Sequence, residues 1–270
     1  MYINLFDSHV HSDNSPEGRD LVTALCSAAV DKGISGICIT DACDMEEFEE
    51  QKYGKRLMYS CFAAHKAQDI FSQQLIVTNG VEMCQPLADP DRAVQVIGEN
   101  RFDFVLGSLH KTRKYGDMMM LNYAHPALDL QDVFRAYYEE LLEVVQWGHF
   151  DSLAHLGYPL RYLKPYNRTV DLAQIDDVFA EIMKSLVAQG KALELNTGGL
   201  RMEIEAFTPS NKYLQMYKDY GGEMITIGSD AECCSDIGCD IQAGLELLKS
   251  VGFKYFTVYK NRQPVMLRLL

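Results

Sequence analysis

No Cys-x-x-Cys pair occurs in this 270-residue chain, although it carries eight cysteines. That absence argues against a paired-thiolate metal site. Nor does a charged-then-apolar leader open the chain, and the two absences together predict a reduced, cytoplasmic protein. No apolar run approaches the ~20 residues needed to cross a bilayer, so no membrane partner is expected. Positive charge is also short: 25 Lys and Arg against 38 Asp and Glu leave a net charge of −13. This disfavours sequence-independent nucleic-acid binding, which needs a cationic surface. It also sets a requirement, because an anionic substrate would need a local cation such as a metal or an arginine pair. Linkers rich in Pro, Gly or Ser, internal repeats and low-complexity tracts are missing as well. A single domain over 1–270 is therefore expected, with 47% hydrophobic residues to build a sizeable core.

What is present is an alternation of short apolar segments with longer amphipathic ones. Strands are expected at 2–7, 35–40, 75–83, 102–109, 151–156, 191–196 and 223–230, with 254–259 as a candidate eighth. Asp171 reads as the N-cap of a helix with Ile175, Phe179, Ile182 and Leu186 on one face and Gly190 as its stop. Val133, Tyr137, Leu141 and Val144 repeat at the same spacing before Gly148. Strands separated by helices imply a parallel sheet, and seven or eight such units close into a barrel more readily than they stay open. The α/β class follows. The segments Lys111 to Pro126, with Met118 to Met120, and Gly157 to Val170 read as long loops shaping a substrate mouth.

Polar residues recur where strands end: His9 and His11, Asp41, Glu82, His110, His155, Glu194 and Asn196, and Asp230. In a barrel these positions share the C-terminal face, where active sites are built. Residues i and i+2 of a strand point the same way, so His9 and His11 enter the mouth together as natural ligands of one cation. Glu82 and Asp230 could complete it, and nitrogen-plus-oxygen ligation favours Zn, Mn or Fe over Ca or Mg. His110 and His155 are further candidate ligands. His149, which precedes its strand, reads as a supporting residue, and His65 and His125 read as surface residues. Cys26 and Cys38 belong to the core, while Cys233, Cys234 and Cys239 cluster in a loop without a second thiolate pair. Arg161 and Arg201 follow the fifth and sixth strands, and their forked guanidinium groups suit phosphate.

The motifs "DSHVHSDNSPEG", "ITDA", "GVEM", "GSLH", "LAHLGYPLRY", "LELNTGGLR" and "IGSDAE", in this order, resemble those of the PHP (polymerase and histidinol phosphatase) superfamily. Within it the chain resembles the monofunctional histidinol-phosphate phosphatases, from residue 7 to about 238. The amidohydrolases also begin with His-x-His, but use a lysine from strand four and histidines from strands five and six; strand six here has none.

The resemblance implies a distorted (β/α)7 TIM-like barrel with a multinuclear metal centre at the C-terminal strand ends, hydrolysing a phosphate monoester. It implies a first ion on His9, His11, Glu82 and Asp230, and a second on Glu82, His110 and His155. Glu82 and Asp230 are then the candidate catalytic carboxylates, and Arg161 and Arg201 the phosphate clamp. Many members hold a third ion with three histidines, at positions occupied here by Glu17, Ala42 and Glu232. Asp41, Cys43 or Asp44 could substitute for the missing second-strand ligand. An oxygen-rich third site, a binuclear centre and a weakly active homologue all remain open.

The expected activity is hydrolysis of L-histidinol phosphate to L-histidinol, late in histidine biosynthesis, with two or three divalent ions (Zn, Mn or Fe). The alternatives are a PHP phosphoesterase for another small phosphorylated metabolite and a weakly active phosphometabolite-binding homologue. Glu232 or Glu194 would meet the cationic end of the substrate. The methionine- and tyrosine-rich loops could equally serve a second copy of the chain, so a homo-oligomer stays open.

Overall fold

The structure is a computed structural model, and it describes residues 5–202 and 204–269. Seven parallel strands form the frame: β1 (Phe6–Val10), β2 (Gly36–Ile39), β3 (Ile76–Cys84), β4 (Phe104–Ser108), β5 (Ser152–Leu153), β6 (Ala192–Asn196) and β7 (Ile225–Gly228). They pair in sequence order. The seam closes where His11 N–H donates to Ala231 O at 2.8 Å and Ala231 N–H donates to His9 O at 3.3 Å. The frame is thus the expected seven-strand barrel. Residues 2–4 of the expected first strand lie outside the described residues.

Among the described residues, seven α-helices cover the strands: α1 (Val22–Asp31), α2 (Tyr53–Phe71), α3 (Pro90–Glu99), α4 (Leu130–Trp147), α5 (Asp176–Ala188), α6 (Asn211–Asp219) and α7 (Ile241–Val251). The two periodic runs read from sequence are α4 and α5. Gly148 ends α4 at φ 69°, a left-handed conformation that glycine adopts without a Cβ penalty. Asp171 caps a 3-10 turn, Leu172–Ile175, that runs into α5. The apolar faces meet in two clusters. In the larger, Phe179 packs between Tyr138 and Tyr213 at ring centroid separations of 4.3 and 3.9 Å. The smaller lies beneath α1 and part of α2, with Leu25, Ile37 and Ala64.

Strand alternation explains why the barrel mouth is polar. Ile225 and Ile227 of β7, and Leu193 and Leu195 of β6, belong to the apolar core. The intervening Thr226, Gly228, Glu194 and Asn196 belong to the other face of the pleat. Gly228 is required there, because a Cβ would stand 2.3 Å from His9 Cβ and 2.7 Å from Glu194 Oε1.

Two expectations fail. The segment 254–259 is not an eighth barrel strand: Tyr255–Lys260 pairs antiparallel with Gln263–Arg268 in a separate hairpin. Its turn sits below β4 and β5, with Asn261 N–H donating to Asp103 at 3.0 Å and Arg262 paired to Asp151. The hairpin therefore closes the end of the barrel opposite the histidines. The expected fifth strand shrinks from 151–156 to Ser152–Leu153, because Ala154 onward turns into the mouth and His155 takes φ 20°. The two loop segments are ordered into a short β-ribbon and 3-10 turns.

Candidate metal centre

The β1 strand delivers His9 and His11 to the mouth, and the bend after β7 delivers Asp230 beside them. His9 Nε2 lies 3.0 Å from His11 Nε2 and 3.5 Å from Asp230 Oδ1. His11 Nε2 lies 3.4 Å from the same Oδ1. Glu82 Oε2 stands 3.8 and 3.7 Å from the two imidazoles. Across the mouth, Glu82 Oε1 is 2.8 Å from His155 Nε2 and 3.4 Å from His110 Nε2, and these two nitrogens are 3.4 Å apart. One carboxylate therefore turns one oxygen to each histidine pair.

These separations can be tested against ligand geometry. Bonds of about 2.1 Å from N and O to a transition-metal ion place neighbouring donors ~3.0 Å apart in an octahedron and ~3.4 Å apart in a tetrahedron. The donor edges, 2.8 to 3.8 Å, span those values. The residues fit two adjacent cations, with His9, His11, Asp230 and Glu82 facing one and Glu82, His110 and His155 facing the other. Among the described residues the groups able to hold an ion are these two sets and His11 with Glu17 and Glu82. The loop cysteines 233, 234 and 239 belong to none.

Electrostatics agree with that fit. Burial alone would lower the basicity of His9 and His11. Carboxylates outweigh it: Glu194 and Asp230 raise His9 well above the ordinary range, and Glu17, Asp230 and Glu82 raise His11 to about 9. Burial opposes ionisation of Glu82 and Asp230 as well, yet both carboxyls are held well below the ordinary range. The hydrogen bonds from His110 and His155 do so for Glu82, and His9, His11 and Arg161 for Asp230. His155 goes the other way: burial lowers it, and Glu82 offsets this only in part. The mouth is a cluster of ionised carboxylates and imidazoles suited to hold a cation.

Other residues hold the ligands. Glu194, fully buried, accepts from His9 Nδ1 and from the His155 backbone N–H, each at 2.7 Å. Asp7, also buried, accepts from Ser229 N–H at 2.8 Å and Gly238 N–H at 2.9 Å, fixing the bend that presents Asp230. Tyr158 stacks close to His110, His155 and Arg161, at 4.5, 5.3 and 4.5 Å. Neither Asp7 nor Tyr158 stands out by sequence spacing. Asp7 carries a partial signal, as the polar residue two before His9 on the same strand face.

The cavity above the centre has a volume of about 310 Å³. Arg161 lines it, with Nη2 3.6 Å from Asp230 Oδ2 and Nε without a hydrogen-bond partner. Glu17 and Glu232 line it too. Glu17 Oε1 is 3.2 Å from His11 Nδ1. Burial beside Asp230 pushes the Glu232 carboxyl above its ordinary range.

Three expected site residues are placed elsewhere. Asp41 is turned away from the cavity and accepts from Ser12 N–H and Oγ–H and from Ser60 Oγ–H, so its oxygens are engaged within the protein. Arg201 donates through Nη2 to the carbonyls of Ser229 and Asp230 at 2.8 and 3.3 Å, bracing the bend rather than lining the cavity. Glu194 is sealed behind His9 and cannot meet a substrate. His149 is exposed and distant from the ligands, with its ring against Trp147.

An α/β barrel with two histidine pairs sharing one carboxylate at its C-terminal mouth defines a class: a barrel protein with a candidate metal-binding cluster beneath an open cavity. Residues 7–198 match the PHP domain, and the chain belongs to that family. It is similar to the probable histidinol-phosphatase of Thermotoga maritima, at 29% identity over 94% of this chain and 95% of that protein. It is 27% identical to the histidinol-phosphatase of Lactococcus lactis, over 94% of each. A crystal structure of histidinol phosphate phosphatase from Lactococcus lactis, complexed with Zn, L-histidinol and phosphate, shares the fold at TM-score 0.80 and 24% identity, covering 97% of this chain and 99% of that one. No helix among the described residues is long and apolar enough to cross a membrane.

Proposed function

We propose that the protein is a metal-dependent phosphomonoester hydrolase acting on L-histidinol phosphate. The observation that carries this reading is the division of Glu82 between the two histidine pairs, directly beneath a cavity lined by Arg161. Similarity to histidinol-phosphatases along nearly the whole chain supports the substrate. The Lactococcus lactis structure, with Zn, L-histidinol and phosphate bound, supports zinc among the candidate metals Zn, Mn and Fe.

His9, His11 and Asp230 would hold one divalent ion, His110 and His155 the other, and Glu82 both. When bound, such ions supply Lewis acidity, lowering the pKa of water and shielding phosphoryl charge. Arg161 then faces the phosphate. Its stack on Tyr158 fixes the guanidinium plane, with Nη2 beside Asp230. A fixed donor aimed at developing phosphoryl charge needs no reorganisation during the reaction. Asp230, held strongly ionised, suits ligation and acceptance of a proton better than donation of one. Glu232, half-buried and raised in basicity, is the cavity carboxyl closest to a proton-donor role and also suits the cationic end of the substrate.

The test is phosphate release from L-histidinol phosphate and a panel of small phosphomonoesters by the metal-loaded protein. Highest kcat/KM for histidinol phosphate is expected, lost on chelation. Preference for another ester would overturn the substrate, and full turnover after chelation would overturn the metal requirement.

A further inference from the structure

The tail of the opening motif bends back beneath its own histidines. Ser15 Oγ accepts from Ala42 N–H at 2.8 Å and donates to Glu17 Oε1 at 2.9 Å. The same Oε1 stands 3.2 Å from His11 Nδ1, and Ser15 Oγ is also 3.2 Å from that nitrogen. On the neighbouring residue, Glu194 Oε1 stands 2.7 Å from His9 Nδ1. Each imidazole of the His-x-His pair thus has its Nε2 toward the cation position and a carboxylate behind its Nδ1. A carboxylate there fixes the tautomer with hydrogen on Nδ1 and leaves the Nε2 lone pair for ligation.

The second-strand donors beside Glu17 are already engaged. Ala42 offers no side-chain donor, and its N–H is committed to Ser15. Asp41 is held by Ser12 and Ser60. Asp44 faces the ammonium of Lys111, which lies 3.4 Å away and also pairs with Glu46 and Glu47 at 3.2 and 2.5 Å. A tethered cation already fills that acidic corner of the mouth.

We propose that Glu17 is a positioning residue that orients His11 from behind, as Glu194 orients His9, and that the centre therefore takes two ions and not three. This rests on the metal-dependent reading above. The two fail differently: a chain that binds no divalent ion at any loading overturns both, whereas the ion count and the effect of Glu17 decide the present proposal alone.

The experiment uses metal-free full-length protein titrated with Zn²⁺, and separately with Co²⁺. Ions per chain are read by elemental analysis, affinity by chelator competition, and ligand geometry by the visible Co²⁺ spectrum. Wild type, Glu17→Ala and Glu17→Gln are each expected to bind two ions. Glu17→Ala should weaken the ion at His9 and His11 by about 10–100-fold and alter its Co²⁺ spectrum. Glu17→Gln should recover part of the loss, because its amide oxygen still accepts from Ser15 Oγ–H and keeps an oxygen facing Nδ1. Three ions in wild type falling to two in Glu17→Ala would make Glu17 a ligand and overturn the proposal. Unchanged affinity and spectrum in Glu17→Ala would overturn it as well. Glu17 lies at the cavity edge, a third exposed, and thermal melts of the metal-free variants report whether the fold is retained.

Discussion

His9 and His11 are backed by carboxylates, Glu194 and Glu17, whereas His110 and His155 are backed by the ring of Tyr158. The first pair is sealed in the barrel, with side chains 0% and 2% exposed; His110 in the second is 23% exposed. His155 Nδ1 has no hydrogen-bond partner at all. A carboxylate behind an imidazole fixes its tautomer and raises its basicity, while an aromatic ring fixes only its plane. On the proposed reading, the first pair would therefore be the tighter and more proton-avid half of the centre, and the second, more open half would exchange its ion first.

Removing the residue common to both halves should have the largest effect. Glu82→Ala is expected to lower phosphate release from L-histidinol phosphate at least a thousand-fold, about 4 kcal/mol, since both ions lose a ligand. Metal counting on the same variant should show both ions weakened. Loss of one ion with the other intact would mean that the carboxylate is not shared. Gly228→Ala separates the halves, because the new Cβ collides with His9 and Glu194. Chelator competition should find the first ion weakened by about 10–100-fold and the second by less, since Glu194 also holds the His155 N–H. Arg161→Ala touches the anion rather than the ions. Its expected signature is a kcat/KM lowered about 10–100-fold, the equivalent of one charge-assisted hydrogen bond, with the ion count unchanged.

The smallest effect is on pH dependence, and it separates the pairs by sign. In the metal-free protein His11 titrates at about 9 and His9 is raised well above its ordinary value, against ~6.5 for an unfolded histidine. Their protonated forms stabilise the fold fully below pH ~6.5, and that contribution fades as pH rises through 9. The melting temperature of metal-free protein should therefore fall between pH 7 and 9. Over the same range the first ion should bind more tightly, because fewer protons must be displaced. His155 is lowered, so its neutral form is already dominant at pH 7. Affinity for the second ion should stay nearly flat from pH 7 to 9. Equal slopes for the two ions would remove the distinction between the pairs.

Much of this was legible in the residues. The alternation of apolar strands and amphipathic helices predicts the barrel, and the polar strand ends predict which side chains meet. His9, His11, Glu82, His110, His155 and Asp230 do converge, because period-two alternation and a shared C-terminal face are properties that spacing encodes. What was not legible depends on where a short backbone segment turns. Tyr255–Lys260 has the composition of a barrel strand, and only its pairing with Gln263–Arg268 makes it a hairpin at the opposite end. Arg201 has the right place for a phosphate clamp, but the bend at Ser229 and Asp230 offers its guanidinium carbonyl oxygens. Asp41 ends the second strand as expected, yet two serine hydroxyls capture it. Glu194 reads from the sequence as a strand-end carboxylate and, with Glu232, as a candidate for the cationic end of the substrate. Its position two residues from Asn196, on the face that Gly228 leaves open, turns it toward His9 instead.

The most direct test is a Zn²⁺ titration of metal-free protein, following phosphate release from L-histidinol phosphate at each increment. The account predicts a silent first equivalent as the carboxylate-backed pair fills. Turnover should then rise through the second equivalent and stop rising when two ions are bound per chain. Full turnover at one equivalent, or a rise that continues to a third, would contradict a two-ion centre joined by Glu82.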